Sequence, residues 1–379
     1  MGLVIAAGGG LWAVIIMWDA FETLVLPRRV TRRLRPTRMF YRLSWRMWSA
    51  GARLMRPGSR RETYLSFYGP LSLLVLMAAW AASLVAAFAL LQTGLGTGIN
   101  VKGGGSFTDH LYLSGETFFT LGLGDVTPVE RVGRALVVIE AGVGFAFLAL
   151  VIGYLPVLYQ SFSRREVSIT LLDARAGSPP SAEELLRGHW SDQEELTVLL
   201  RDWERWSAEV LESHLSYPVL SYYRSQHDNQ SWLAALCTIL DTSALMIVGL
   251  PGACAGQARL TFAMSRHAVA DLVQVLGESP IDATPDRLPP SDLARLCTRL
   301  AAAGVVVDAG VGVDDKLAEM RRMYEPFVAA LSEYLLMPLP AWGAGDGARA
   351  NWRASRWNGR TAGGPIQGLS VSSSACERE

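Results

Sequence analysis

The chain has 379 residues, half of them hydrophobic and only 18% charged, against roughly 25% charged in ordinary soluble domains. That composition argues against a purely soluble protein and for a membrane protein with a soluble part attached. The 35 basic and 35 acidic residues cancel overall, yet twelve arginines and no acid lie between Arg28 and Arg61, while most of the acids follow residue 180.

In chain order, three apolar runs come first: residues 3–26, 65–92 and 132–159. Each exceeds the ~20 residues that span a bilayer as a helix. The first lacks a basic n-region and a small-residue cleavage site, so it reads as an uncleaved anchor and not as a signal peptide. The arginine block after it belongs on the cytoplasmic side. This puts the N-terminus outside and the third span returning inside, where Arg164 and Arg165 follow it. Arg29, Arg32, Arg35 and Arg38 recur every third residue like a voltage-sensor helix. Polar residues between them, Pro36, and Asp19 and Glu22 as sole candidate partners argue against that reading. Residues 37–56, with Phe40, Leu43, Trp45, Met47 and Trp48 among arginines, read instead as an interfacial helix on anionic lipid.

Between the second and third spans lie a glycine-rich segment, a short apolar-aromatic helix at about 110–119, and the hexapeptide TLGLGD at 120–125. Non-helical backbone is tolerated at membrane depth only where it lines a watery cavity. A dehydrated cation needs a ring of oxygens in place of its water shell. Successive backbone carbonyls point the same way when every second residue takes positive φ, which glycine reaches without steric cost. Thr120-Leu121-Gly122-Leu123-Gly124 has that alternation. The preceding helix would aim its partly negative C-terminus at the cavity, and Asp125 would place an acid at the mouth. The glycines match neither a P-loop nor a dinucleotide fingerprint. TGLGTG at 93–98 is similar in composition, but no pore helix precedes it and no aspartate follows. It reads as flexible loop.

Residues 65–165 resemble the two-helix pore module of potassium channels, whose signature T-V-G-Y-G-D reads T-L-G-L-G-D here, followed by Thr127 and Pro128. The resemblance implies that the carbonyls of Thr120, Leu121, Gly122 and Leu123, with the Thr120 hydroxyl, hold potassium as the permeant ion. It implies no other cofactor. A single pore repeat implies a homotetramer. Glu116 sits where some members place a glutamate that shares a proton with the aspartate after the filter, here Asp125; the alternative is that it faces water. Gly144 falls at the family's hinge glycine, or it permits close helix packing together with Gly142. Pro156 is expected to kink the third span. Glu140, inside that span, marks an ion path or bonds a neighbouring helix. Two positions depart from the pattern: Leu123 replaces the filter tyrosine and Phe119 a second threonine. Tyr112 is the one aromatic near the cuff. Cation conduction is therefore better supported than potassium selectivity.

After residue 165, Ser181 with Glu184 and Ser191 with Glu194 read as capping boxes. Amphipathic patterns follow at about 191–215, 230–249, 256–277, 291–303 and 314–336. The segment 232–250 is apolar enough to span, but Asp241 at its centre would cost roughly 2.5–3.5 kcal/mol in a bilayer, so it reads as a buried bundle helix. The cysteines (Cys237, Cys254, Cys297, Cys376) form no paired or metal-binding spacing, and the five histidines form no cluster. No nucleophile–base set points to an enzyme, and no nucleic-acid partner is implied. The expected class is an all-α membrane protein with three spans. Its parts are an anchor at 1–27, a basic segment at 28–63 and a pore module at 64–165. A cytoplasmic helical domain at 166–340, whose ligand is unnamed, and a disordered tail at 341–379 complete it. The location is the cell membrane.

Overall fold

The computed structural model describes residues 1–26, 35–101, 105–250, 252, 254–282, 285–308 and 312–343. Their secondary structure is helical, with no strand among these described residues and one isolated bridge between Ile99 and Pro128. The chain is an all-α membrane protein.

Helix α1 (Gly2–Leu24) lies antiparallel on α4 (Tyr68–Leu95). Small residues let the two backbones meet, as interfaces between apolar helices require. A Cβ at Gly9 would stand 2.7 Å from the Ala87 carbonyl oxygen, and one at Gly94 would run into the backbone of Ala6. Buried Asp19 fixes the elbow after α1. Its Oδ2 accepts from the Thr37 amide at 3.1 Å, the Thr37 hydroxyl at 2.5 Å and Trp80 Nε1 at 3.1 Å. The carboxylate therefore caps α2 (Pro36–Arg53) at its positive end. Arg35 lies 3.3 Å from Glu22 and 3.7 Å from Asp19, a fixed joint between the two helices. Arg29 and Arg32 lie outside the described residues.

A short α3 (Ser59–Ser66) leads into α4. After α4 come α5 (Phe107–Phe118) and α6 (Arg131–Ala176). With 46 residues, α6 is about 69 Å long at 1.5 Å per residue, more than twice the ~30 Å hydrocarbon core. Its apolar run ends near Tyr159, but nothing in the sequence stops the helix there. Pro156 lies inside it and does not end it.

The C-terminal bundle comprises α7 (Ala182–His189), α8 (Gln193–Ser216), a 3₁₀ turn (Pro218–Tyr222), α9 (Trp232–Gly249), α10 (Ala255–Leu276), α11 (Pro290–Ala302), α12 (Val313–Arg322) and α13 (Glu325–Leu335). Ser181 caps α7 through the Glu184 amide at 3.3 Å. The next cap is Asp192, on the Glu195 amide at 2.8 Å, one residue beyond the expected Ser191. The pattern at 314–336 divides into α12 and α13, with Pro326 opening the second. The mostly apolar α9 is enclosed by the other bundle helices, and Asp241 at its middle takes Arg287 at 2.6 Å and the Tyr324 hydroxyl at 2.6 Å.

Two expectations are corrected here. The aromatic face of α2 is covered by protein: Trp45 is buried, donates to the Tyr334 carbonyl at 3.0 Å and packs among Tyr68, Tyr222 and Tyr334. Only the stripe of Met39, Leu43 and Met47 remains exposed. The tail begins later than residue 341, because Trp342 is buried against the bundle and its carbonyl accepts from the Glu183 amide at 3.1 Å. Residues 344–379 lie outside the described residues.

Candidate functional site

Helix α5 is short because it is capped and then stopped. Ser106 and Asp109 form a reciprocal capping box at its start. Its body wedges between α4 and α6. Ser114 is the fixing point: its hydroxyl donates to the Val85 carbonyl at 2.7 Å and also bonds the Glu140 carboxylate. Glu140 takes Gln92 Nε2 at 3.2 Å and is fully buried. One carboxylate thus joins α4, α5 and α6. At the outset Glu140 had two readings, and the contacts favour the bond to neighbouring helices.

The chain leaves α5 at Phe119 and enters the Thr120–Gly124 loop. Thr120, Gly122 and Gly124 have φ of +56°, +62° and +77°. Every second residue is left-handed, which turns consecutive carbonyls toward one side. Thr120 is one of only two described non-glycine residues with positive φ, a conformation that is costly for a residue with a Cβ. The side chains of Leu121 and Leu123 are exposed on this single chain, as is Phe119.

The loop is held from behind and from above. Glu116 is buried, and its Oε1 accepts from the Gly124 amide at 3.1 Å. Asp125 takes the Tyr112 hydroxyl at 3.1 Å and 3.3 Å. Two ties thus run from α5 to the loop, one through each carboxylate. Tyr112 stands one turn before Glu116. Beyond the loop, the Val129 amide donates to the Gly98 carbonyl at 2.9 Å and the Asn100 amide to the Thr127 carbonyl at 2.8 Å. Of residues 93–98, expected as flexible loop, 93–95 end α4, Gly96 is its left-handed cap, and the Thr97 amide donates to the Gln92 carbonyl at 3.2 Å. His110 ties this cap to α5 through the Thr97 carbonyl at 3.1 Å.

Residues 72–160 match the family model described as ion channel, and they contain α5, its loop and the flanking helices. The segment is similar in this to a two-helix pore-loop ion-channel module. The chain is also 23% identical over 193 residues to an uncharacterized membrane protein, YdjJ, of Bacillus subtilis (strain 168). That similarity covers 49% of this chain and 55% of the relative, so the chain spans about half the length of the protein it matches. No solved structure matches.

Within the pore module, Gly144 is where α6 passes the end of α5. A Cβ there would collide with the Phe118 carbonyl oxygen, whereas one at Gly142 would meet nothing. Close packing against α5 thus requires glycine at 144. Most of the apolar surface of α6 is bare in one chain: Val138, Phe145, Leu148 and Ile152 are all exposed. Toward its far end Arg165 is 3% exposed and makes four hydrogen bonds and an ion pair. Nε and Nη2 reach Glu166 at 3.0 Å; Nη1 reaches the Leu220 carbonyl at 3.0 Å and His214 Nε2 at 3.2 Å; Nη2 also reaches the Tyr223 carbonyl at 2.9 Å. The 3₁₀ turn so held presses Val219 and Leu220 against Leu73 and Met77 of α4 and Tyr154 and Leu158 of α6. Sequence reasoning had assigned Arg165 only a topological role, and it had no signal for Ser114, Gln92 or His110. Hydrogen-bond partners far apart in sequence leave no local pattern.

Proposed function

We propose that four copies of this chain form a potassium channel of the cell membrane. Potassium would pass through the carbonyls of Thr120, Leu121, Gly122 and Leu123 and the Thr120 hydroxyl, with Gly124 closing the filter. The observation that carries this reading is the left-handed backbone at every second residue, Thr120, Gly122 and Gly124, because it alone makes a strand of one-sided oxygen ligands. The exposed apolar face of α6 supports assembly around a shared axis. Glu116 and Asp125 serve as filter supports. Movement at Gly144 and Pro156 of α6 would gate the pore, driven by the C-terminal bundle. The arginine block supports a cytoplasmic bundle and an outside N-terminus, and anionic lipids would face residues 28–61.

A second reading, a weakly selective cation channel, rests on Leu123. It carries no hydroxyl to anchor the filter, and Tyr112 spends its own on Asp125. Reversal potentials of the purified protein in liposomes, with potassium against sodium, separate the two. Gly122→Ala is expected to abolish flux without preventing assembly, because alanine resists φ near +62°. Unchanged currents in that variant would remove Thr120–Gly124 as the conduction path.

A further inference from the structure

Glu140 lies in the apolar stretch of α6, and its polar partners among the described residues are neutral: Ser114 of α5 and Gln92 of α4. No arginine, lysine or histidine among those residues forms an ion pair with it. All three side chains are fully buried, so bulk water does not complete their hydrogen bonding. An ionised carboxylate in that place has neither cation nor solvent, and such burial is costly.

The hydrogens available fix the form it takes. Ser114 Oγ stands within hydrogen-bond reach of two oxygens, the Val85 carbonyl at 2.7 Å and Glu140 Oε1. A carbonyl only accepts, and so does an ionised carboxylate, whereas a hydroxyl carries one hydrogen. Two oxygen–oxygen contacts need two hydrogens. With Glu140 ionised, one is missing and lone pairs face each other. Gln92 cannot supply it: its Nε2 donates to the other carboxyl oxygen, Oε2, at 3.2 Å, and turning its amide over changes nothing at Ser114. The remaining source is Glu140 itself.

We propose that Glu140 is a neutral carboxylic acid that donates its Oε1 hydrogen to Ser114 and is a positioning residue for α5. The bonds then run in one direction: Gln92 of α4 to Glu140 of α6, Glu140 to Ser114 of α5, and Ser114 back to the Val85 carbonyl of α4. Each hydrogen is used once, and bonds in such a chain polarise one another. Glu140 acts on the Thr120–Gly124 loop through α5, which holds the loop by Glu116 and Tyr112. Only the description of that loop as a filter rests on the channel reading.

The test is the infrared spectrum of the full chain in liposomes at neutral pH. A carboxylic acid shows a C=O stretch that a carboxylate lacks. Wild-type protein should show this band, displaced when its glutamate carboxyls carry carbon-13, and Glu140→Gln should lose the component that Glu140 contributes. Ser114→Ala takes away the acceptor of the proton and should shift the same component. Glu140→Gln still offers an N–H to Ser114 and an oxygen to Gln92, so its α5 amides should exchange at the wild-type rate. Glu140→Leu offers neither, and exchange across α5 should rise at least about tenfold, the worth of one or two hydrogen bonds. No acid band in wild type, a band unchanged in Glu140→Gln or Ser114→Ala, or exchange in Glu140→Gln as fast as in Glu140→Leu would overturn the assignment. The wild-type spectrum stands even where a variant fails to fold. None of these readings uses ion flux, so a conducting chain without the band would refute this assignment alone.

Discussion

Arg165→Met should detach α6 from the bundle. Methionine keeps an unbranched stem and removes the guanidinium, so the polar term dominates. Removal leaves Glu166 without its buried cation, and the Leu220 and Tyr223 carbonyls and His214 Nε2 without their donor. Breaking a buried charge pair on one side costs roughly 3–5 kcal/mol. At 1.4 kcal/mol per tenfold, the ratio of docked to undocked bundle falls by about two to three and a half powers of ten. Amide exchange across residues 217–223 reads that opening directly, and Tm of the detergent-solubilised chain reads its consequence. Arg165→Met with Glu166→Leu should recover much of the loss, because no unpaired charge is left behind. Arg165→Lys should not, since an ammonium has three donors on one atom and cannot span four partners. Wild-type exchange and Tm in Arg165→Met would refute the clasp.

Burial, and then the charge of Arg165, push the His214 pKa down to about 3, below the usual 6.5. The unfolded chain therefore binds a proton that the folded chain refuses between those values, and stability falls as pH drops through that window. The loss from this group is about 2 kcal/mol between pH 7 and pH 5. Denaturation midpoints of wild type and His214→Gln at both pH values should show the slope only in wild type. Asp241→Leu should destabilise the bundle by roughly 3–5 kcal/mol, because Arg287 and the Tyr324 hydroxyl lose their acceptor. Were α9 a membrane span, the same change would favour insertion, so chemical denaturation decides which solvent α9 has. Gly144→Ala drives a methyl into the Phe118 carbonyl, at a cost of about 1–3 kcal/mol. A lowered Tm with α5 amides exchanging faster is the expected result, and Gly142→Ala should leave both unchanged.

The spans and the alternating loop were legible because each rests on a local, periodic rule. An apolar run of spanning length must be helical, and glycine at alternate positions admits alternate left-handed backbone. Both statements concern neighbours in sequence. Glu140 shows where such rules end: its partners stand 26 and 48 residues away, so an acid in a span could be read equally as an ion path or as a tie. The segment 93–98 misled because glycine content signals a turn without saying whether that turn is loose. Here it is a cap held by its bridge to the segment after the loop. Residues 37–56 misled for a related reason. An aromatic face beside arginines suits a bilayer surface, but it also suits a protein partner, and only the bundle's own aromatic residues decide between them.

The junction between pore module and bundle is itself an argument about transmission. A bundle attached only through its chain could rotate without moving α6, and nothing it sensed would reach the filter. This bundle cannot, for two independent reasons. Arg165 keeps its bonds to the Leu220 and Tyr223 carbonyls only while the turn at 218–222 keeps its place. Val219 and Leu220 sit between α4 and α6, buried against both. Any tilt of α8 that shifts this turn must either part α4 from α6 or carry α6 with it. On the proposed channel reading, the path runs from bundle to turn, from turn to Tyr154, and along α6 to Gly144 beneath the filter. The Val219–Leu220 wedge holds by packing at its side chains and by the arginine clasp at the Leu220 carbonyl, so moving it strains both at once.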